Sequence, residues 1–273
     1  MIQEDTGTQD LLVRLEDKVA VITLNRPEAR NAMSGEMNAA LQKALYEAEL
    51  DPQVGCIVLT GAGKGFCAGG DVKGMASSGD GTVGDNTIDG AIHRQRDNQR
   101  ATAGKLFKMP KPTIASLPGA AAGAGLSLAL ACDLRIMSSN AFMTTAFAKV
   151  GFSGDYGGTY FMSQLVGSAK ARELYFLSSR VGAEEALNLG LTNWICDPDE
   201  LESKTMEIAR ELANGPTVAY RYMKENLNRA MGGEVDECMD LEASHHIHCG
   251  QTEDHKNAVK AFVEKTEPVF KGR

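Results

Sequence analysis

Apolar residues crowd five short runs of the chain: LLVRLE at Leu11–Glu16, VAVITL at Val19–Leu24, CIVL at Cys56–Leu59, TIASL at Thr113–Leu117 and LRIM at Leu134–Met137. Runs of this length, bounded by turn-forming residues, predict strands. Only Asp17-Lys18 separates the first two, which predicts a hairpin. Elsewhere the apolar positions take helical spacing. Met37, Leu41 and Leu45 form one stripe behind Ser34, whose hydroxyl can cap free N–H groups, and Asp51-Pro52 ends the run. The stretch GAAAGAGLSLALACD at 119–133 opens an apolar helix with seven consecutive glycines and alanines. From about Glu200 onward the pattern is helical throughout. Strands alternating with helices, followed by helices alone, predict an α/β layered core over 1–198 and a helical C-terminal region over 199–273.

Composition narrows the function classes. A chain of 273 residues can build one sizeable core, and its net charge of −8, with no Lys/Arg run longer than two, argues against nucleic acid as a partner. No apolar run approaches the ~20 residues of a membrane helix. The acidic start MIQEDTGTQD differs from a targeting peptide, and six cysteines without CxxC pairs read as reduced thiols. A soluble cytoplasmic protein is the expectation. Residues 77–90, SSGDGTVGDNTIDG, read as a loop. His245, His246, His248 and Cys249 match no zinc spacing, and adjacent histidines leave a helix on different faces, so no metal site is expected.

The glycine–alanine run offers backbone rather than side-chain chemistry. The first N–H groups of a helix lack intrahelical partners and carry the positive end of its dipole, and small residues let a ligand atom come close. A helix beginning near Gly123 makes Ala124 N–H a candidate oxyanion donor. The alternative is that Gly123 and Gly125 serve close packing against a sheet. A second glycine cluster, GAGKGFCAGGDVKGM at 61–75, lies at the end of the strand that precedes it and supplies Ala68 N–H as a second donor. Two convergent N–H groups suit an enolate or a tetrahedral oxyanion. Neither cluster has GxGxxG or GxxxxGK[ST] spacing, so dinucleotide and phosphate-loop readings fail.

The segments NRPEARNAMS, KGFCAGGDVKGM, GAAAGAGLSLALACDLRI and GDYGGTYFMSQLVGSAKARELYFLSSRVGAEEALNLGL, in this order and spacing, resemble the crotonase (enoyl-CoA hydratase/isomerase) superfamily. The likeness runs on to TEDHKNAVKAFVEKTEPVF near the C-terminus. It implies a crotonase-like spiral of repeated ββα units, a homotrimer or a dimer of trimers, and an acyl-CoA thioester as substrate, with no cofactor beyond the coenzyme A that the substrate carries. It places the thioester oxygen between the N–H groups of Ala68 and Ala124. It also assigns Arg26, Ala29 and Arg30 to the coenzyme A side, and Gly69, Gly70, Asp71, Val72 and Lys73 to the pantetheine side. Gly123, Ser127 and Phe147 fall around the acyl group, and Phe262 and Lys265 on a helix that completes a neighbouring subunit's site.

The resemblance also shows a departure. Hydratases of the superfamily use two glutamates to handle water, and these would fall at Ser127 and Phe147, so both carboxylates are missing here. Asp155 remains, at a position where isomerases, dienoyl-CoA isomerases and dehalogenases of the superfamily carry an aspartate. Set among Phe152, Tyr156 and Phe147, its carboxyl is expected to lose hydration and rise in pKa toward the value of a general base. The plainer reading makes Asp155 a helix cap or turn residue. An enoyl-CoA isomerase working through Asp155 is the leading expectation. The alternatives are a hydratase without the glutamate pair, a hydrolase or dehalogenase using Asp155, and a non-catalytic acyl-CoA binder.

Overall fold

The computed structural model describes residues 1–2, 4–71 and 87–273. The expected hairpin is present: β1 (Leu11–Glu16) pairs antiparallel with β2 (Val19–Leu24) around Asp17 and Lys18, both at positive φ. The remaining strands add in parallel, β3 (Cys56–Gly61), β5 (Thr113–Leu117), β7 (Leu134–Ser138) and β10 (Trp194–Cys196), giving a six-stranded sheet in the order β1-β2-β3-β5-β7-β10. A parallel sheet must be covered on both faces, and the side-chain alternation shows how. Ala20, Ile22, Leu24, Ile57 and Leu59 face the main core, while Val19, Val21, Cys56 and Val58 face the opposite side.

Helix α1 (Gly35–Leu50) covers the main-core side with Met37, Leu41 and Leu45, and Ser34 caps it by accepting from Met37 N at 3.0 Å. Two further helices, α2 (Ile88–Ala101) and α3 (Ala103–Lys108), lead into β5. The opposite face is closed by Leu201, Met206, Ala209 and Ala213. They lie on α7 (Leu201–Ala213), after the short α6 (Ala183–Asn188). Helix α7 is therefore a layer of the core. The helices beyond it are α8 (Thr217–Ala230), α9 (Val235–Cys249) and α10 (Glu253–Glu264). Lys224 ties α8 to the core: its buried ammonium donates to the Leu106 and Lys111 carbonyls and to Asp133 Oδ2 at 2.8 Å.

A second, smaller sheet escaped the pattern reading. It joins β4 (Gly65–Cys67), β6 (Ala120–Ala122), β8 (Phe142–Thr144) and β9 (Val181–Gly182), strands of two or three residues too short to show a period. The glycine–alanine run is thus half strand and half helix. After β6 the chain turns at Gly123 (φ 53, ψ −127), a conformation open to glycine, and α4 (Ala124–Ala131) begins. Close packing also holds, at Gly125: a Cβ there would lie 2.5 Å from the Cys67 carbonyl oxygen and 2.6 Å from Cys67 Cβ. The close-packing alternative therefore holds at Gly125, while Ala124 is the first residue of the helix. No helix among the described residues is long and apolar enough to cross a membrane.

Candidate active site

Strand β4 and the residues after it run beside the start of α4, because β4 pairs in parallel with β6. A Cβ on Gly69, whose φ is +97, would stand 3.3 Å from Ala124 N and 3.6 Å from Gly123 Cα. The two glycine-rich segments therefore meet, and Ala124 N–H opens its helix with no side-chain cap over it. Ala68 is different. Its N–H already donates to the Arg30 carbonyl at 3.0 Å, so the donor role expected of it is corrected. The neighbouring amide is better placed. Gly70 forms a parallel bridge with Met33, whose N–H donates to the Gly69 carbonyl at 2.8 Å. In such a ladder Gly70's own N–H points away from Met33. No hydrogen-bond acceptor takes it among the described residues.

Asp155 lies three residues before α5 (Gly158–Leu177), near enough to Cys67, the last residue of β4, for its charge to act on that thiol. Its side chain does not cap: the N-cap of α5 is Gly157, without a side-chain hydrogen bond, and Asp155 Oδ1 is buried with no partner. Asp155 contributes its backbone carbonyl to the turn, accepting from Gly158 N at 3.0 Å. Burial lifts its carboxyl from 3.8 to about 6, as an unpaired carboxylate held away from water requires. Phe147 and Tyr156 are buried nearby, whereas Phe152, expected in that wall, is 59% exposed. Tyr156 is itself pushed up to about 12, by burial and then by the Asp155 charge. Its hydroxyl accepts from Asn38 Nδ2 at 3.3 Å.

The other expected residues divide. Phe147 closes on the helix start, with Cε1 3.7 Å from where a Gly123 Cβ would stand. Ser127 is buried one turn into α4, its hydroxyl donating to the Gly123 carbonyl at 3.3 Å. Arg26 is spent within the protein: it donates to Ala32 O at 2.8 Å and Asp71 Oδ2 at 2.9 Å, with Asp10 at 3.5 Å. It is a strut that ties Asp10, Ala32 and Asp71 together. Arg30 is exposed and Ala29 half-buried beside it. Val72, Lys73 and most of the 77–90 loop lie outside the described residues. Phe262 is 85% exposed on α10, and Lys265 ends that helix in the left-handed region. His245 stacks on Tyr222 and pairs through Nδ1 with Asn226 Oδ1 at 2.6 Å.

The pattern reading missed two features. Gly70 was assigned to lining rather than donation, and Tyr175 was not singled out. Tyr175 stacks on Phe147 (centroids 5.9 Å apart, planes at 15°), and its ring edge lies 3.1 Å from where a Gly154 Cβ would stand.

The family model described as enoyl-CoA hydratase/isomerase matches residues 14–273. The chain belongs to that family. A short-chain-enoyl-CoA hydratase of Clostridium acetobutylicum is 36% identical, over 97% of this chain and 98% of that one. A 1,2-epoxyphenylacetyl-CoA isomerase of Escherichia coli is 35% identical, over 96% and 98%. Among solved structures, an enoyl-CoA hydratase from Polaromonas superposes with a TM-score of 0.88 at 30% identity, covering 95% of this chain and 99% of that one. The fold is the crotonase fold. Hydratase and isomerase names both occur among these relatives, so membership of the enoyl-CoA hydratase/isomerase family makes the chain an acyl-CoA enzyme without choosing its reaction.

Proposed function

We propose that the protein moves the double bond of an enoyl-CoA between the 3,4 and 2,3 positions, with Asp155 as the single acid–base group. One observation carries the reading: Asp155 holds a buried carboxyl oxygen with no partner at the turn leading into α5, with a pKa near the working range of a base. In this reading the thioester oxygen accepts from Ala124 N–H and Gly70 N–H. Asp155 removes a proton from carbon 2 of a 3-enoyl thioester, and the negative charge passes to the thioester oxygen between the two amides. The same carboxyl returns the proton to carbon 4, leaving the conjugated 2-enoyl thioester. Hydration by a glutamate pair is disfavoured because Ser127 and Phe147 stand where that pair would be.

The test is ultraviolet absorbance with 3-enoyl-CoA and, separately, 2-enoyl-CoA. The expected result is growth of conjugated-thioester absorbance from the 3-enoyl substrate. Loss of conjugation from 2-enoyl-CoA, at a faster rate than any gain from 3-enoyl-CoA, would make the enzyme a hydratase and sink the proposed route.

The same reading takes Phe262 and Val263, 85% and 75% exposed on α10, as a face that a second copy of the chain covers in a trimer. Two large apolar side chains at that exposure are a poor surface for a lone subunit. Light scattering on Phe262→Asp is expected to show the assembly falling to a lower mass. A wild-type protein with the mass of one chain would overturn the trimer.

A further inference from the structure

The turn that carries Asp155 is built from left-handed backbone: φ is +120 at Gly154, +48 at Tyr156 and +74 at Gly157. Glycine adopts such angles freely. A tyrosine there is strained, and persists only where its surroundings over-determine the conformation. Two helices grip Tyr156. Asn38, on α1, donates through Nδ2 to its hydroxyl at 3.3 Å, and the residue is only 7% exposed. Gln99, on α2, accepts from the Tyr156 backbone N–H through Oε1 at 2.5 Å. The other end of that amide donates to the Gln95 carbonyl at 3.2 Å, so both of its ends are committed.

The peptide between Asp155 and Tyr156 is thereby tied at both ends. Its carbonyl accepts from Gly158 N at 3.0 Å, and its N–H is held by Gln99. Rotating this peptide changes ψ of Asp155 and φ of Tyr156 together, so Gln99 fixes the backbone from which the Asp155 side chain departs. An aspartate in a turn ordinarily accepts a hydrogen bond from a backbone N–H of the same turn. Asp155 Oδ1 is buried and has no such bond. Helix α2, for its part, has no fully buried residue. What Gln99 supplies to this turn is therefore a hydrogen bond rather than core packing.

We propose that Gln99 is a positioning residue: it holds Tyr156 in the left-handed region and so keeps the Asp155 carboxyl turned away from the N–H groups of its own turn. The inference rests on the reading of Asp155 as the acid–base group and deepens it. Without the bond from Gln99 the turn relaxes, and the carboxylate takes a backbone N–H as its partner. A hydrogen bond to the charged form lowers the pKa of a carboxyl and weakens it as a base.

The test compares the wild type with Gln99→Leu, which has no acceptor, and Gln99→Glu, which keeps one. Two readouts are taken on the full chain: the pH profile of 3-enoyl-CoA conjugation, and urea unfolding between pH 4 and pH 7.5, which needs no turnover. Gln99→Leu is expected to lower kcat about tenfold or more, with KM changed less than about twofold. Its apparent pKa is expected to fall from about 6 to below about 5. The loss of stability that the wild type shows as pH rises from about 4 to about 6 is expected to shrink with it, because the folded and unfolded pKa values converge. Gln99→Glu keeps the clamp and adds a negative charge beside Asp155, so its apparent pKa is expected to hold or rise. An unmoved pKa in Gln99→Leu overturns the proposal, whether or not kcat falls. So does a downward shift in Gln99→Glu. If the unfolding profile responds as expected while no form conjugates 3-enoyl-CoA, the clamp stands and the double-bond reading fails alone.

Discussion

Asp155→Asn is expected to lower the rate of double-bond migration by about 10³-fold or more, within the range that general acid–base groups supply. Asparagine keeps the size and one acceptor oxygen but holds no transferable proton at any working pH. The wild-type enzyme is expected to gain kcat/KM with rising pH through an apparent pKa of about 6 and to level off above it, because only the ionised carboxylate removes a proton. The same substitution is expected to stabilise the fold. Burial raises the Asp155 carboxyl from 3.8 to about 6, so the folded protein holds a proton there that the unfolded chain has already released. Stability therefore falls as pH rises from about 4 to about 6 and stays reduced above that window. A shift of about two units sets an upper bound near 3 kcal/mol, and the carboxyl's remaining hydration reduces this to about 1–2 kcal/mol. Urea unfolding at pH 4 and pH 7.5 checks the sign. The variant should match the wild type at the lower pH and exceed it at the higher. A variant less stable at pH 7.5 would mean that Asp155 has a partner in solution, and the free-base reading would fall with it.

The second large effect is expected from Gly69→Ala. The backbone at Gly69 has φ +97, and an added Cβ would stand 3.0 Å from the Ala122 carbonyl oxygen and 3.3 Å from Ala124 N. That methyl occupies the approach to one proposed oxyanion donor and pushes on the segment that carries the other. Loss of one such donor costs about 10²–10³ in rate. The strained φ adds about 1–3 kcal/mol of instability. Gly190→Ala separates the two contributions, since Gly190 also has positive φ (+73) but nothing lies within 4 Å of its Cβ position. Gly190→Ala should lose stability and keep its rate, whereas Gly69→Ala should lose both. Comparable rates in the two variants would place the thioester oxygen elsewhere.

Much of the molecule was legible before any coordinates. Strands β1, β2, β3, β5 and β7 appear where apolar runs predict them, because each buries whole faces and therefore shows a period. Ser34 caps α1 as its position suggests. The family was legible from the order and spacing of its glycine-rich segments, and Asp155 as the remaining carboxylate from the residues at 127 and 147.

Tertiary structure alone decided three matters. Ala68 N–H is taken by the Arg30 carbonyl while Gly70 N–H points away from Met33, because Arg30 and Met33 bind this segment from one side. Arg26 turned out to be a strut because Asp10 and Asp71, 16 positions before it and 45 after it in the chain, converge on its guanidinium. The Tyr175 hydroxyl returns to the Gly154 and Gly158 turn only because α5 breaks at Gly167. Hydrophobic periodicity records which face of an element is buried, so it determined the main sheet and the helix that covers it, while the order of the glycine-rich segments pointed to the family. It carries no record of the direction of a single N–H or of a chain reversal at one glycine, and those two features shape the site.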